Sequence, residues 1–429
     1  MQVPGREERR TSRRFGGLLW QRNFRLLWIG ETVSGVGNAM AVVGVPLLAV
    51  TVLHASTFAV AALTAAAYLP WLAIGLPAGA WVDRLSCRPL MIACDVVSAL
   101  LYASLPAAAW MGVLTTGQVV VVALLAGVAS VFFTTAYRVY LPSLVSAAEL
   151  IEGNAKLQGS ASTAAIGGRG AAGLAAQAVG AATALLFNAA SFLVSAGCLL
   201  AIRPGIPADK PARPATTVRA EIFEGAAFIT GDRYLRPLTL YGAVANLAYS
   251  GSTALVVVFL VRVIRLSPAA AGLLMAVSGI GGVAGAMVAR RLAARVGTAR
   301  ALVLATFGTG VFGLLIPLTG PGLRAAFYAI GATVVAFGIT IGSVIVGSFR
   351  QAYCPPAMLG RVTATMSFLV FGGIPLGALI AGGLGTAIGV RDALWTMLTI
   401  YALSGTLLLG RAIRSDNELP THRLPGHRV

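Results

Sequence analysis

Apolar stretches of roughly 20 to 28 residues recur between Phe24 and Leu409, and short gaps carrying most of the charge separate them. A helix that crosses the roughly 30 Å hydrocarbon core needs about 20 such residues, at about 1.5 Å of rise each. The pattern predicts twelve spanning helices, over 24–52, 57–80, 89–112, 117–141, 156–178, 183–203, 238–262, 267–289, 300–319, 325–349, 362–384 and 392–412. The predicted class is therefore an all-α, multi-pass membrane protein. Only a helix that closes its own backbone hydrogen bonds can cross lipid in this way.

The polar gaps alternate in charge. Basic residues crowd the N-terminal arm (Arg6 to Arg25) and the gaps at Arg84/Arg88, Lys156, Arg203 to Arg236, Arg290 to Arg300 and Arg350/Arg361. The intervening gaps hold only Arg262, Arg265, Arg324 and Arg391. Positive residues favour the cytoplasmic side, so both termini are expected in the cytoplasm and the chain in the cell (inner) membrane. This placement also explains the formal charge of +18 as a partner for anionic lipid rather than for nucleic acid. Hydrophobic residues make up 57% of the chain and charged ones 11%, less than half the usual share of a soluble domain. The first helix follows a charged arm and lacks a small-residue cleavage site, so it is expected to remain. Cys87, Cys94, Cys198 and Cys354 form no CxxC pair and the three histidines are scattered, which predicts neither disulfide, metal nor cofactor.

A hydrophilic run with Pro204, Pro207, Pro211 and Pro214 divides the chain into equal parts. The expected organisation is a basic arm (1–23), a six-helix bundle (24–203), a linker (204–237), a second six-helix bundle (238–412) and a cytoplasmic tail (413–429). Within the linker Arg219 to Phe228 is expected to lie on the membrane surface. The halves echo one another: Gly75, Gly79, Val82 and Arg84 recur at an offset of 206 as Gly281, Gly285, Val288 and Arg290. Two parallel repeats of six helices can rock about a site between them; the same GxxxG spacing also serves as ordinary helix-packing glue.

At Gly79-Ala-Trp-Val-Asp83-Arg84-Leu-Ser-Cys-Arg88 the chain resembles the helix 2–3 signature of the major facilitator superfamily, with Ser86 and Cys87 departing from it. Phe24-Arg-Leu-Leu-Trp28, Tyr140-Leu-Pro-Ser-Leu-Val145, Gly153-Asn-Ala-Lys-Leu-Gln158, Ser191-Phe-Leu-Val-Ser195 and Pro355-x4-Gly360-Arg361 are similar to its branch of drug, macrolide and siderophore exporters. The resemblance implies two pseudo-symmetric six-helix bundles. It also implies a conformational gate of Gly79, Asp83, Arg84 and Arg88, joined by Asp95 at the cytoplasmic rim. Three departures stand out: Thr134 where the branch tends to carry an acid, Arg169 in place of the proline of a helix-five Gly-Pro step, and Asn188 in place of an Asp.

By the same resemblance helices one, four, seven and ten line a central cavity, and each carries a polar stripe: Glu31, Ser34 and Asn38; Ser130, Thr134 and Arg138; Asn246, Ser250 and Thr253 with Tyr249; Thr333 and Thr340. Helix six has a comparable stripe at Asn188, Ser191 and Ser195. Charge inside a bilayer costs about 2.5 to 3.5 kcal/mol, so Glu31, Arg138 and Arg169 each call for a partner or a purpose. Similar depths suggest that Glu31 pairs with Arg138. Glu31 is the expected proton carrier and Arg169 an expected cavity or interface residue.

No GxSxG, HExxH or GxxxxGK motif is present, and the GxGxxA at Gly279 lies in a spanning segment, so neither enzyme chemistry nor ATP drive is expected. The expected function is export of a small molecule, a drug or natural product of possible anionic or zwitterionic character, by a proton-coupled monomer working by alternating access. An importer or facilitator of a small anion, and a transport-inactive sensor with the same fold, remain alternatives.

Overall fold

The computed structural model describes residues 17–82, 84–146, 149–203, 218–410 and 417–420. Among these there is no strand. The N-terminal half consists of α1 (Arg22–Thr51), α2 (Thr57–Val82), α3 (Cys87–Trp110), α4 (Thr116–Leu144), α5 (Leu150–Val179) and α6 (Ala181–Ala201). A linker helix, Val218–Thr230, leads to α7 (Leu235–Val258), α8 (Pro268–Val296), α9 (Thr298–Val303), α10 (Ala325–Tyr353), α11 (Pro356–Ala387) and α12 (Val390–Ser404). Beyond Val303, α9 continues as a wide turn over Leu304–Gly308 and a tight one over Val311–Leu318, where Pro317 withholds a backbone donor. Helix starts are capped where the sequence allows. Thr115 accepts from the Gln118 amide, and Ser267, followed by Pro268 at the first helical position, accepts from that of Ala270.

Ten of these helices are long and apolar enough to cross a membrane. The other two, α5 and α12, have specific reasons for falling short. Asn154, Gln158, Thr163, Arg169 and Gln177 dilute the apolar character of α5. The regular part of α12 has 15 residues, about 22 Å, and reaches some 30 Å only with the tight turn Gly405–Leu408.

The predicted repeat is realised in the packing. In the first half α1 lies on α5 and α6, α2 on α4, and α3 on α4 and α6; the same pairs recur six helices later. The ends of α1 and α7 repeat in backbone detail as well. Leu53 and Ala55 donate to the carbonyls of Leu48 and Ala49, while Ile264 and Leu266 donate to those of Phe259 and Leu260. In each case the residue before the last donor, His54 or Arg265, takes a left-handed φ, 49° or 62°, uncommon for any residue but glycine.

The glycine echo, by contrast, is used differently in the two halves. A Cβ on Gly281 or Gly285 would run into the carbonyls of Thr333 or Phe337 on α10, so these two glycines let α8 approach α10. A Cβ on Gly79 meets nothing. Gly281→Val should therefore destabilise by about 1–3 kcal/mol and lower the melting temperature, whereas Gly79→Ala should leave it unchanged. Thermal unfolding of both variants in detergent checks the contrast.

The linker helix is docked on the second half through its described residues; Ile222 and Phe223, expected at the membrane surface, have side chains outside the described ones. Its Gly225 sits against Arg361 and Thr365 of α11, Glu224 forms an ion pair with Arg361, and Ile229 joins the core of the second half. Asp232 then caps α7, accepting from the amides of Tyr234 and Leu235, both at 2.9 Å, and from the Tyr353 hydroxyl at 2.8 Å. At the other end the tight turn Gly17–Trp20 is tied to α5: Glu152 accepts from the Leu18 amide and pairs with Lys156, each at 3.0 Å. These contacts hold the Glu152 carboxyl below its ordinary range.

The halves meet along two seams, α2 with α11 and α5 with α8. On the face away from the chain ends one apolar cluster spans both halves, uniting Leu47, Val50, Val60, Ala172 and Ala176 with Val257 and Val258. On the face where α1 begins, here called the terminal face, there are two separate clusters. One holds Phe24, Leu27, Met91, Leu141 and Leu199 of the first half, the other Leu238, Ala289, Ile345 and Val362 of the second. Among the described residues an apolar core thus joins the halves on the far face, here called sealed, and none joins them on the terminal face, here called parted.

Candidate coupling and substrate sites

The gate predicted from the helix 2–3 signature lies partly outside the described residues. Asp83 lies outside the described residues, and Gly79 and Arg84 are at the parted face with Arg84 exposed. Arg88 donates to the carbonyls of Leu199 and Leu200, both at 2.8 Å, closing the C-terminus of α6, where a cation is favoured. Its bonds stay inside the first half.

Asp95 is not at the rim. It is 2% exposed in the interior of the first half, hydrogen-bonded to Ser195 of α6 and within electrostatic reach of Glu31 of α1. Oε1 of Glu31 and Oδ2 of Asp95 are both buried without a hydrogen-bond partner. The expected Glu31–Arg138 pair is absent: Arg138 is exposed and Glu31 faces another carboxyl. Packing explains the difference. α1 lies along α5 and α6 and scarcely touches α4, and at Gly30 and Gly37 its backbone presses on Ser195, Ser191 and Asn188. The polar stripe of α6 thus faces α1, with Asn188 wholly buried and its Nδ2 unpaired.

Several predicted cavity residues are bonded within one half. Ser34 bonds back to the Glu31 carbonyl, Asn246 donates to the Val370 carbonyl of α11, Ser250 to that of Ile374, and Thr333 to that of Val277. Asn38 is exposed, at the middle of α1, and Thr134 is half-buried. Tyr249 lies within electrostatic reach of Arg169. Tyr68 and Tyr328 are also within its electrostatic reach, and sequence reasoning missed them because a lone tyrosine in an apolar run carries no periodic signal. Tyr401, 5.5 Å from Tyr249 between ring centroids, has a buried hydroxyl without a partner.

A further residue sequence reasoning passed over closes the far face. Arg262, in the wide turn ending α7, donates to the Ala55 carbonyl at 2.6 Å and the Val50 carbonyl at 3.1 Å, both at the end of α1. It joins the two halves through main-chain acceptors, which no sequence motif marks.

Two pseudo-equivalent six-helix bundles meeting along two seams are an architecture shared by many secondary transporters. The comparisons agree. The chain is 27% identical over 394 residues to the multidrug efflux pump Tap of Mycolicibacterium fortuitum, covering 90% of this chain and 93% of that protein. Its fold is similar to that of the nucleoside transporter NupG (TM-score 0.71, 13% identity, 92% of this chain and 98% of that one). It is also similar to a bacterial homologue of the iron transporter ferroportin in an inward-facing state (TM-score 0.70, 16% identity, 90% and 98%). The profile of the Major Facilitator Superfamily matches residues 27–378, most of the chain, and the chain is a transporter of that superfamily, not an enzyme.

Proposed function

We propose that this transporter exports small organic molecules in exchange for protons, and that its parted terminal face opens to the cytoplasm. The observation that carries the reading is the Glu31–Asp95 pair. Ser195 serves only one oxygen of Asp95, and Oε1 of Glu31 and Oδ2 of Asp95 are buried with no cation or donor; two negative charges in such a low-dielectric site cost several kcal/mol, so the pair is stable only with a proton in place. A carboxyl pair enclosed by α1, α3 and α6 holds such a proton while the face is parted and can release it when rocking of the bundles changes its surroundings. The basic flanks of the terminal face support a cytoplasmic orientation, and the similarity to an efflux pump supports the direction.

Purified protein in liposomes with a trapped pH dye tests the mechanism. A panel of cationic, neutral and acidic amphiphiles is added outside. Exchange makes the lumen alkaline as substrate enters; a symporter acidifies it, and a facilitator moves substrate with no pH change. Either of the last two results overturns the exchange mechanism.

A further inference from the structure

Arg169 is a permanent cation near the middle of the membrane that nothing in the described structure neutralises. It takes part in no ion pair and no hydrogen bond among the described residues. The two buried carboxyls face each other inside the first half. An arginine cannot shed its proton, and Arg169 is half-buried, with no guanidinium nitrogen both buried and unpartnered, so at this depth its charge is open to an anion entering between the halves.

Its position is fixed from both sides. A Cβ on Gly168 would come within 2.7 Å of the Val36 carbonyl of α1, and one on Gly170 would lie 3.6 Å from both Leu273 and Ala276 of α8. Wedged between α1 of its own half and α8 of the other, α5 holds Arg169 at the seam. Counted along the helices, Arg169, Tyr68 and Tyr249 all lie about three turns, roughly 15 Å, from the far-face ends of α5, α2 and α7. That is just below the shared apolar cluster, at the closed end of the space between the halves. The guanidinium is thus level with two phenols, one from each half, and within electrostatic reach of both. Trp71 and Phe371, 6.4 Å apart between ring centroids, bridge α2 and α11 one turn from Tyr68.

We propose that Arg169, with the hydroxyls of Tyr68 and Tyr249, binds the carboxylate of an aromatic organic acid, and that such acids are substrates of this transporter. A guanidinium pairs with a carboxylate through two parallel bonds, a phenol donates a third, and the rings stack on an aromatic body. Because the ligating groups come from both halves, an acid bound here is gripped across the seam that must rearrange during transport. Calling the ligand a substrate rests on the exporter reading; the binding does not.

The test is calorimetry on the full-length protein in an uncharged detergent, with 1-naphthoate, 1-naphthamide and 1-naphthylmethylammonium as probes. The wild type should bind naphthoate at least tenfold more tightly than the amide and the ammonium most weakly. Arg169→Gln should bring the naphthoate-to-amide ratio near one. Arg169→Lys should keep part of it, since the charge survives without the fork, and Tyr249→Phe should reduce it several-fold. Equal affinity for acid and amide in the wild type, or an acid preference that survives Arg169→Gln, overturns the proposal. Should Arg169→Gln fail to fold, the Lys and Tyr249→Phe variants decide in the same way. Arg169-dependent binding without proton exchange in liposomes removes the exporter reading alone, and exchange of other compounds without acid binding removes this proposal alone.

Discussion

Glu31→Gln should leave the transporter able to equilibrate its substrate but unable to concentrate it. A one-unit pH difference stores about 1.4 kcal/mol per proton, which sustains a tenfold substrate gradient at one proton per cycle. The amide keeps the shape and hydrogen-bonding capacity of the side chain and removes the exchangeable proton. Accumulation in acid-loaded liposomes should therefore fall from about tenfold to one, while exchange of labelled for unlabelled substrate continues. Asp95→Asn should act in the same direction, because the two carboxyls share one buried site with no cation to replace either. An undiminished gradient in both variants would make the pair a structural element and send the search for the proton elsewhere.

Arg262→Gln should shift the protein away from the conformation described here. Hydrogen bonds from a charged donor contribute about 1.5–3 kcal/mol each, and these two exist only while the far face is sealed. Water at that face recovers part of the loss, so a net change of about 2–3 kcal/mol is expected, a shift of roughly 30- to 150-fold in the ratio of the two states. Spin labels at Gln158 of α5 and Arg290 of α8, both exposed toward the parted ends, report the change by pulsed electron resonance. The variant should show a larger population of short distances. An unchanged distribution would mean that the shared apolar cluster alone seals the far face.

The fold was legible because a bilayer leaves few choices: apolar length marks spans, charge marks their flanks, and the glycine echo and linker mark the repeat. Its weakest signals fell where a helix is not solvated by lipid. α5 reads as polar because it runs along the seam, and the ends of α9 and α12 are irregular where Gly and Pro interrupt the helical ladder. The site was less legible. The sequence marked Glu31, Asp95, Arg169 and Tyr249 as unusual, yet depth counting paired Glu31 with the wrong residue. Depth is one coordinate, whereas a pairing depends also on the azimuth of each side chain and on which helices adjoin.

Composition and periodicity by themselves determined the class, the spans, the two halves and the presence of charges that need a purpose, since each follows from transferring a segment into lipid. Partnership was decided only by the tertiary structure. The packing of α1 against α6 turned Glu31 toward Asp95 of α3, within electrostatic reach, instead of Arg138, and α5 wedged between α1 and α8 placed Arg169 within reach of Tyr68 and Tyr249. The left-handed turn after α1 placed carbonyls within reach of Arg262. These contacts join residues distant in the chain through backbone acceptors and helix faces, and neither leaves a local pattern in the sequence.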